Sequence, residues 1–300
     1  MLNFKPITFD SINEIKEFLN FKDFRTCDYT VGALFMWREY YKSKYAIYKN
    51  HIFFQVELTE GDIYYTLPIS KDSIKDALSI LDQYTKNNNI PLKFCAIPEE
   101  GVSILEEFFD GKLDIVGDRD VSDYLYIASD LSELKGRRFS GQRNHINKFH
   151  KLYQNYQYVQ MNENNKEKVL EFFDNFSKNM TKTAETAIEE SIRTKEILES
   201  LDKLPLFGGF IEVEGNIVAI SVGEIVNDTL YVHIEKALKD FHGAYQMIVN
   251  EFAKHNVSEG VMYINREDDA GDLGLRTSKL SYHPCQLLDK YVVKVDSEKI

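Results

Sequence analysis

Cysteine is scarce in this chain, and what there is forms no pattern. Three residues in 300, Cys27, Cys95 and Cys285, are too few and too far apart for a disulfide scaffold or a paired zinc motif. They fit a reducing, cytoplasmic setting. Proline (6) and glycine (15) are sparse as well. No Pro/Gly/Ser-rich stretch interrupts the chain, so two halves should pack tightly instead of hanging on a flexible linker. Apolar runs stay well short of a membrane span, and Met1-Leu2-Asn3-Phe4-Lys5-Pro6 lacks the basic-then-apolar layout of a signal peptide. Positive charge is in deficit: 36 Lys and Arg against 48 Asp and Glu leave −12. A surface of that sign disfavours generic binding to nucleic acid or anionic membranes. Neither a metal-ligand spacing nor a nucleophile elbow is present, and His145 and His150 read as surface or hydrogen-bonded histidines rather than ligands.

What the chain does have is a globular composition, 43% apolar and 28% charged, with 20 Phe, 18 Tyr and a single Trp, Trp37. It is long enough for two ordinary domains. An order of elements occurs twice. In the first half a strand over 2–7 leads to helices over 11–19 and 29–41. Strands over 45–48, 52–58 and 63–67 follow, then a helix capped near Ser70 and a strand over 92–97. In the second half a strand over 156–161 and helices over 166–178 and 189–201 precede a meander over 207–213, 217–226 and 229–236. A helix over 243–255 and a strand over 261–264 complete it. The boundary falls in the basic stretch between Ser129 and Tyr153, dividing the chain into 1–130 and 131–300.

Three features carry candidate chemistry. In the strand from Leu230 to Lys236, period-2 alternation puts Leu230, Val232 and Ile234 on a core face and Tyr231, His233 and Glu235 on the other, a lining suited to a polar cleft. Either Glu235 or His233 could then serve as base. Next, Gly243-Ala244 opens a helix whose unpaired N–H groups and dipole favour an anion, although Gly243 could equally be a plain helix-start glycine. The matching junction of the first half, Leu67-Pro68-Ile69-Ser70, has no glycine, so that half reads as structural or acceptor-binding. Finally, from Lys135 to Lys151 there are six basic residues and no acidic one. Arg138, Arg143 and Lys148 on this helix could contact an anion, or the helix could simply be solvated.

The run Asn265-Arg266-Glu267-Asp268-Asp269-Ala270-Gly271-Asp272-Leu273-Gly274-Leu275-Arg276-Thr277-Ser278-Lys279-Leu280-Ser281-Tyr282 places charges of both signs where a buried strand should emerge. That is costly unless they pair with each other or with a ligand. The run resembles the hallmark of the phosphatidylglycerol lysyltransferase C-terminal domain family. Arg137-Arg138 and Arg143–Phe149, and Glu235-Lys236 followed by Gly243-Ala244-Tyr245-Gln246, strengthen the likeness. Cys27-Asp28-Tyr29 and Trp37 match the first half in outline. The resemblance implies an α/β (α+β) fold of two tandem GNAT-type acyltransferase domains with mixed central sheets flanked by helices. It implies acyl or aminoacyl transfer from acyl-coenzyme A or the acceptor end of an aminoacyl-tRNA, with no tightly bound cofactor. The acceptor would be a small amine or hydroxyl, a lipid headgroup among the possibilities. On this reading Glu235, His233, Arg266 and Glu267 are the catalytic candidates. Gly243, Ala244, Tyr245, Lys236, Arg276 and Lys279 hold the donor, and Arg266, Glu267 and Arg276 form a network at the cleft mouth. The competing reading is a binding module that has lost turnover. Asp240-Phe241-His242-Gly243-Ala244-Tyr245 keeps only part of the GNAT phosphate-loop signature, with Asp where a basic or amide residue belongs.

Overall fold

The computed structural model describes residues 2–179 and 184–296. The first half runs β1 (Lys5–Pro6), α1 (Ile12–Leu19), α2 (Val31–Trp37), then a meander of β2 (Lys44–Tyr48), β3 (His51–Thr59) and β4 (Asp62–Tyr65). β5 (Ile69–Ser70), α3 (Ile74–Asn87), β6 (Lys93–Pro98), α4 (Glu99–Phe108) and β7 (Leu113–Gly117) follow. Helix α3 starts later than the sequence suggests. Ser73, not Ser70, caps it, its hydroxyl accepting from the Asp76 amide at 3.3 Å, because Ser70 is drawn into β5 opposite His51.

The second half contains β8 (Asp123–Ile127), α5 (Ala128–Glu133), α6 (Ser140–Leu152), β9 (Tyr156–Gln160), α7 (Lys166–Lys178) and α8 (Glu185–Glu199). Its meander is β10 (Phe207–Val213), β11 (Asn216–Val226) and β12 (Thr229–Ala237), followed by α9 (Ala244–Asn256), β13 (Tyr263–Asn265), α10 (Leu273–Leu280) and β14 (Gln286–Leu288). β15 (Lys290–Val295) ends the described chain.

Two mixed sheets result, β1-β2-β3-β4-β6-β15-β7 with β5 beside β3, and β14-β8-β13-β12-β11-β10-β9. Each contains a parallel step reached through a crossover helix: β4 to β6 by way of α3, and β12 to β13 by way of α9. The element order repeated in the sequence is therefore a repeated topology. Side chains such as Phe53, Phe54, Phe94 and Leu78 are fully buried in the first core, and Val218, Ile220, Leu230, Ile234 and Ile248 in the second.

The chain divides into two compact units, Met1–Asp123 with Asp268–Gly271 and the segment from Leu287 onward, and Tyr124–Glu267 with Asp272–Gln286. A single cut at residue 130 misses this for two reasons. β15 is hydrogen-bonded between β6 and β7 of the first sheet, and β8 pairs with β13 of the second.

The return of β15 brings a lysine into the first unit's interior. Lys290 is 4% exposed, its Nζ 2.8 Å from Asp28 Oδ2 and from Asp123 Oδ1, 3.9 Å from Asp268 Oδ2 and 3.4 Å from Cys27 Sγ. Burial disfavours the ammonium, but Asp123 and Asp28 more than compensate and hold its pKa well above the ordinary value. Cys27, Asp28 and Asp123 have metal-ligand character, with ligand atoms within 4.8 Å of one another. In their midst lies the lysine's positive charge. Lys290→Met should therefore cost about 3–5 kcal/mol, the penalty for stranding the buried Asp123 carboxylate. A urea-melting midpoint lowered accordingly, and partly restored in Lys290→Met/Asp123→Asn, is the expected result.

Candidate active site

The second unit's parallel step is short. β12 and β13 pair only at Thr229 with Tyr263, Leu230 with Ile264 and Tyr231 with Asn265. β12 then continues to Ala237, whereas the β13 chain turns off through Glu267, a non-glycine residue at φ +56°. Strained backbone of this kind persists only where its surroundings enforce it. Here Asn265 Oδ1 accepts from the Glu267 amide at 2.7 Å. The Lys279 ammonium donates to the carbonyls of Arg266 and Glu267, and Tyr124 bonds the same two residues through its main chain.

A bulge decides which side chains meet. Glu235 pairs with Ser221 and Ile234 with Val222, but Gly223 then pairs with Val232 and Glu224 with Tyr231. His233 is the extra residue. Gly223 is required there, since a Cβ would lie 2.2 Å from the Tyr231 carbonyl oxygen. Ser221 and Glu224 are three residues apart on β11 and so face opposite ways, and their partners Glu235 and Tyr231 do the same. The strict alternation that would align Tyr231, His233 and Glu235 on one face is therefore broken at His233. Arg266 and Glu267, successive residues, divide between the two sides.

On the α9 side Arg266 is enclosed, its side chain 1% exposed. Its Nε and Nη2 donate to Glu235 Oε2 at 3.1 and 2.5 Å, and Nη2 to the Tyr245 hydroxyl at 2.7 Å. The rings of Tyr126, Tyr245 and Tyr282 surround the guanidinium at 4.9–5.7 Å. Burial opposes its charge, Glu235 favours it, and the guanidinium stays firmly protonated. Burial also pushes the Tyr245 phenol up to about 12. On the other side His233 donates from Nδ1 to Glu267 Oε1 at 2.7 Å and from Nε2 to Glu224 Oε1 at 3.0 Å. Burial alone would neutralise the ring, but the bonds to Glu224 and Glu267 raise its pKa to about 10. At neutral pH His233 is an imidazolium with both N–H groups engaged, so it is no base. Glu267 is the open member, 25% exposed against 11% for Glu235 and 4% for Glu224.

Several of the other candidates have partners outside this cluster. Lys279 is committed to main-chain carbonyls, Lys236 pairs with Glu190 of α8 at 2.5 Å, and Arg276 lies half-buried on α10. Of the basic stretch, Arg138 pairs with Asp130 at 2.5 Å and Lys135 with Glu133 at 2.7 Å. Arg143 donates to the carbonyls of Leu134 and Gly136 at 2.5 and 2.6 Å, closing the end of α5. Lys148 is exposed. Ala244 is buried at the start of α9, and Gly243 before it has φ +84°. A Cβ on Gly243 would meet the His145 carbonyl oxygen of α6 at 2.5 Å. The glycine is thus explained by close helix packing, and a bulky replacement would not leave the fold intact.

Sequence reasoning missed Glu224, Tyr282 and Lys290. For Glu224 a signal existed: it is the one charged residue in the apolar run from Ile217 to Val226, and a lone charge in a central strand requires a partner.

The phosphatidylglycerol lysyltransferase C-terminal family model matches residues 20–294. The chain belongs to that family. A protein of unknown function from Bacteroides thetaiotaomicron is 31% identical, with a TM-score of 0.88 over 99% of this chain and 100% of that one. L-PGS from Bacillus licheniformis is 13% identical, with a TM-score of 0.65 over 95% and 92%. FemX is 9% identical, with a TM-score of 0.63 over 99% and 98%. These last two likenesses show a shared fold, here two mixed sheets flanked by helices. A curated relative, the uncharacterized protein MYCGA3080 of Mycoplasmoides gallisepticum, is 26% identical over 180 residues. That match covers 58% of this chain and about half, 56%, of the relative's length. No helix among the described residues is long and apolar enough to cross a membrane.

Two measurements test this geometry. The His233 charge stabilises the fold fully below the ring's unfolded value of about 6.5, and the contribution fades as pH rises toward about 10. The melting-temperature advantage of the unchanged protein over His233→Gln should accordingly shrink between pH 6 and pH 10. Gly243→Ala should cost about 1–2 kcal/mol for its backbone conformation plus about 1–3 for the clash. Gly215→Ala, at φ +83° with nothing within 4 Å, should show only the first part in denaturant titrations.

Proposed function

We propose that the second unit moves an acyl or aminoacyl group from an activated ester or thioester to an amine or hydroxyl acceptor, by direct attack. The observation that carries this is the partly exposed Glu267 carboxylate at the parting of β12 and β13. One of its oxygens is held by an imidazolium, and the other has no partner among the described residues. As the acceptor attacks the carbonyl carbon, its proton passes to Glu267. The neighbouring His233 charge opposes the negative charge that gathers on the carbonyl oxygen. Collapse of that intermediate breaks the bond to the donor's oxygen or sulfur, and the leaving group takes the proton back. Arg266 and Glu235 serve as the buried strut that fixes the backbone of Glu267.

Two donors suit this chemistry, an aminoacyl-tRNA and an acyl-coenzyme A. The lysyltransferase named by the family and the L-PGS fold favour the first. The exposed Lys148 and Lys151 of α6 offer a few phosphate contacts, enough for an acceptor end against a net charge of −12. One observation favours the alternative of a binding module without turnover: α6 packs directly on the opening of α9, where an acyl donor's phosphates would be cradled.

Isothermal titration with acetyl-coenzyme A and with charged and uncharged tRNA, then a transfer assay against amines, separates the readings. Charged tRNA should bind with a log–log salt slope of about −2 to −4. Lys148→Ala and Lys151→Ala should each flatten it by about one, whereas Arg143→Ala should lower stability instead. Micromolar binding of acetyl-coenzyme A with no effect of these lysines would make the protein an acyl-coenzyme A acyltransferase. Binding without transfer to any acceptor would leave the module.

A further inference from the structure

We propose that Glu224 is a positioning residue for the reaction, acting through His233 to keep that ring charged and turned toward Glu267. The inference rests on the reading of Glu267 as proton acceptor, and it gives the buried Glu224 a part in that reaction.

A carboxylate in the interior of a central strand is expensive unless matched by charge. Glu224 is 3% exposed between the apolar residues Val222 and Ile225, and its Oε1 meets His233 Nε2 at 3.0 Å. The backbone is shaped around this contact. The bulge extrudes His233 from β12, Gly223 permits the bulge, and Glu224 is the residue directly after that glycine. With its Nε2 proton fixed by Glu224, the ring can turn only its Nδ1 proton toward Glu267.

The groups facing the ring are Glu224 from β11 and Glu267 beyond β13. Lys236 farther along β12 is already neutralised by Glu190 of α8. Two carboxylates around one imidazolium leave a net charge of −1, so the ring stays charged without cancelling Glu267 as an acceptor. Remove the Glu224 charge, and one neutral ring tautomer becomes accessible near physiological pH. A neutral ring still donates to Glu267 from Nδ1, but it no longer supplies positive charge next to the reacting carbonyl. Bulges and strained residues gather where a side chain must be aimed, and the pair found here, at His233 and Glu267, aims two groups at one point.

The test compares Glu224→Gln, Glu224→Asp and the unchanged protein by nitrogen-15 NMR of the histidine rings, with His233→Gln to assign the signal. The unchanged protein should show His233 protonated on both nitrogens at pH 8. Glu224→Gln should show a neutral ring at that pH, and Glu224→Asp should retain the charge. In the transfer assay Glu224→Gln should lower kcat by about tenfold or more with KM little changed, and Glu224→Asp should recover part of it. A ring still doubly protonated at pH 8 in Glu224→Gln, or neutral in the unchanged protein, overturns the inference. If Glu224→Gln does not fold, the Glu224→Asp spectrum and rate decide in its place. Absence of transfer by the unchanged protein would defeat the functional reading instead, and the NMR result would still stand or fall by itself.

Discussion

A guanidinium sealed from water must be matched at the point where it lies, and in the second unit that requirement falls on Arg266. Glu235 supplies the opposite charge, Tyr245 bridges the two, and three tyrosine rings take the place of solvent. Because Arg266 is the first residue past β13, satisfying it fixes where that strand stops and where the next residue points. Glu267 has little freedom left: Arg266 is anchored on one side, and Lys279 holds both carbonyls. The open carboxylate is thus a consequence of the buried pair beside it. Exchanging the pair for apolar residues of like volume could preserve stability, yet it would remove the constraint that aims Glu267.

The fold was legible because its signals are local and repeated. Turn residues, period-2 strands and a period-3.6 helix recur in one order, and the sheets reproduce that order as meander, crossover helix and parallel return. Among the segments that escaped, β7, β8 and β15 are short strands with partners far along the chain. Nothing near Lys290 announces that it will sit between Asp28 and Asp123. Long-range pairing leaves no local periodicity to read.

The site was legible in its members and illegible in its arrangement. Dense charge following an apolar run drew attention to Arg266 and Glu267, and alternation drew attention to His233 and Glu235. The bulge then separated His233 from Glu235, because one extra residue reverses every side chain beyond it. His233, read in isolation as a base, became a fixed cation once Glu224 and Glu267 closed on both its nitrogens. Its ionisation depends on partners 9 and 34 residues away, a distance over which sequence spacing carries no information.

The first unit offers an internal comparison for what turns a strand opening into a site. Its parallel step is even shorter, Tyr65 with Phe94 alone. Past that pair the Tyr29 hydroxyl accepts from the Leu67 amide at 3.0 Å and donates to the Ala96 carbonyl at 3.1 Å. A single phenol bridges the parting strands and satisfies both with neutral hydrogen bonds. Burial pushes that phenol well above its ordinary pKa, so it brings neither charge nor a proton acceptor. In the second unit the equivalent gap is spanned by ion pairs, and one carboxylate is left part in water. Equal topology thus yields a plugged seam in one unit and a chemically open one in the other, and the difference lies in whether the bridging group is neutral or charged.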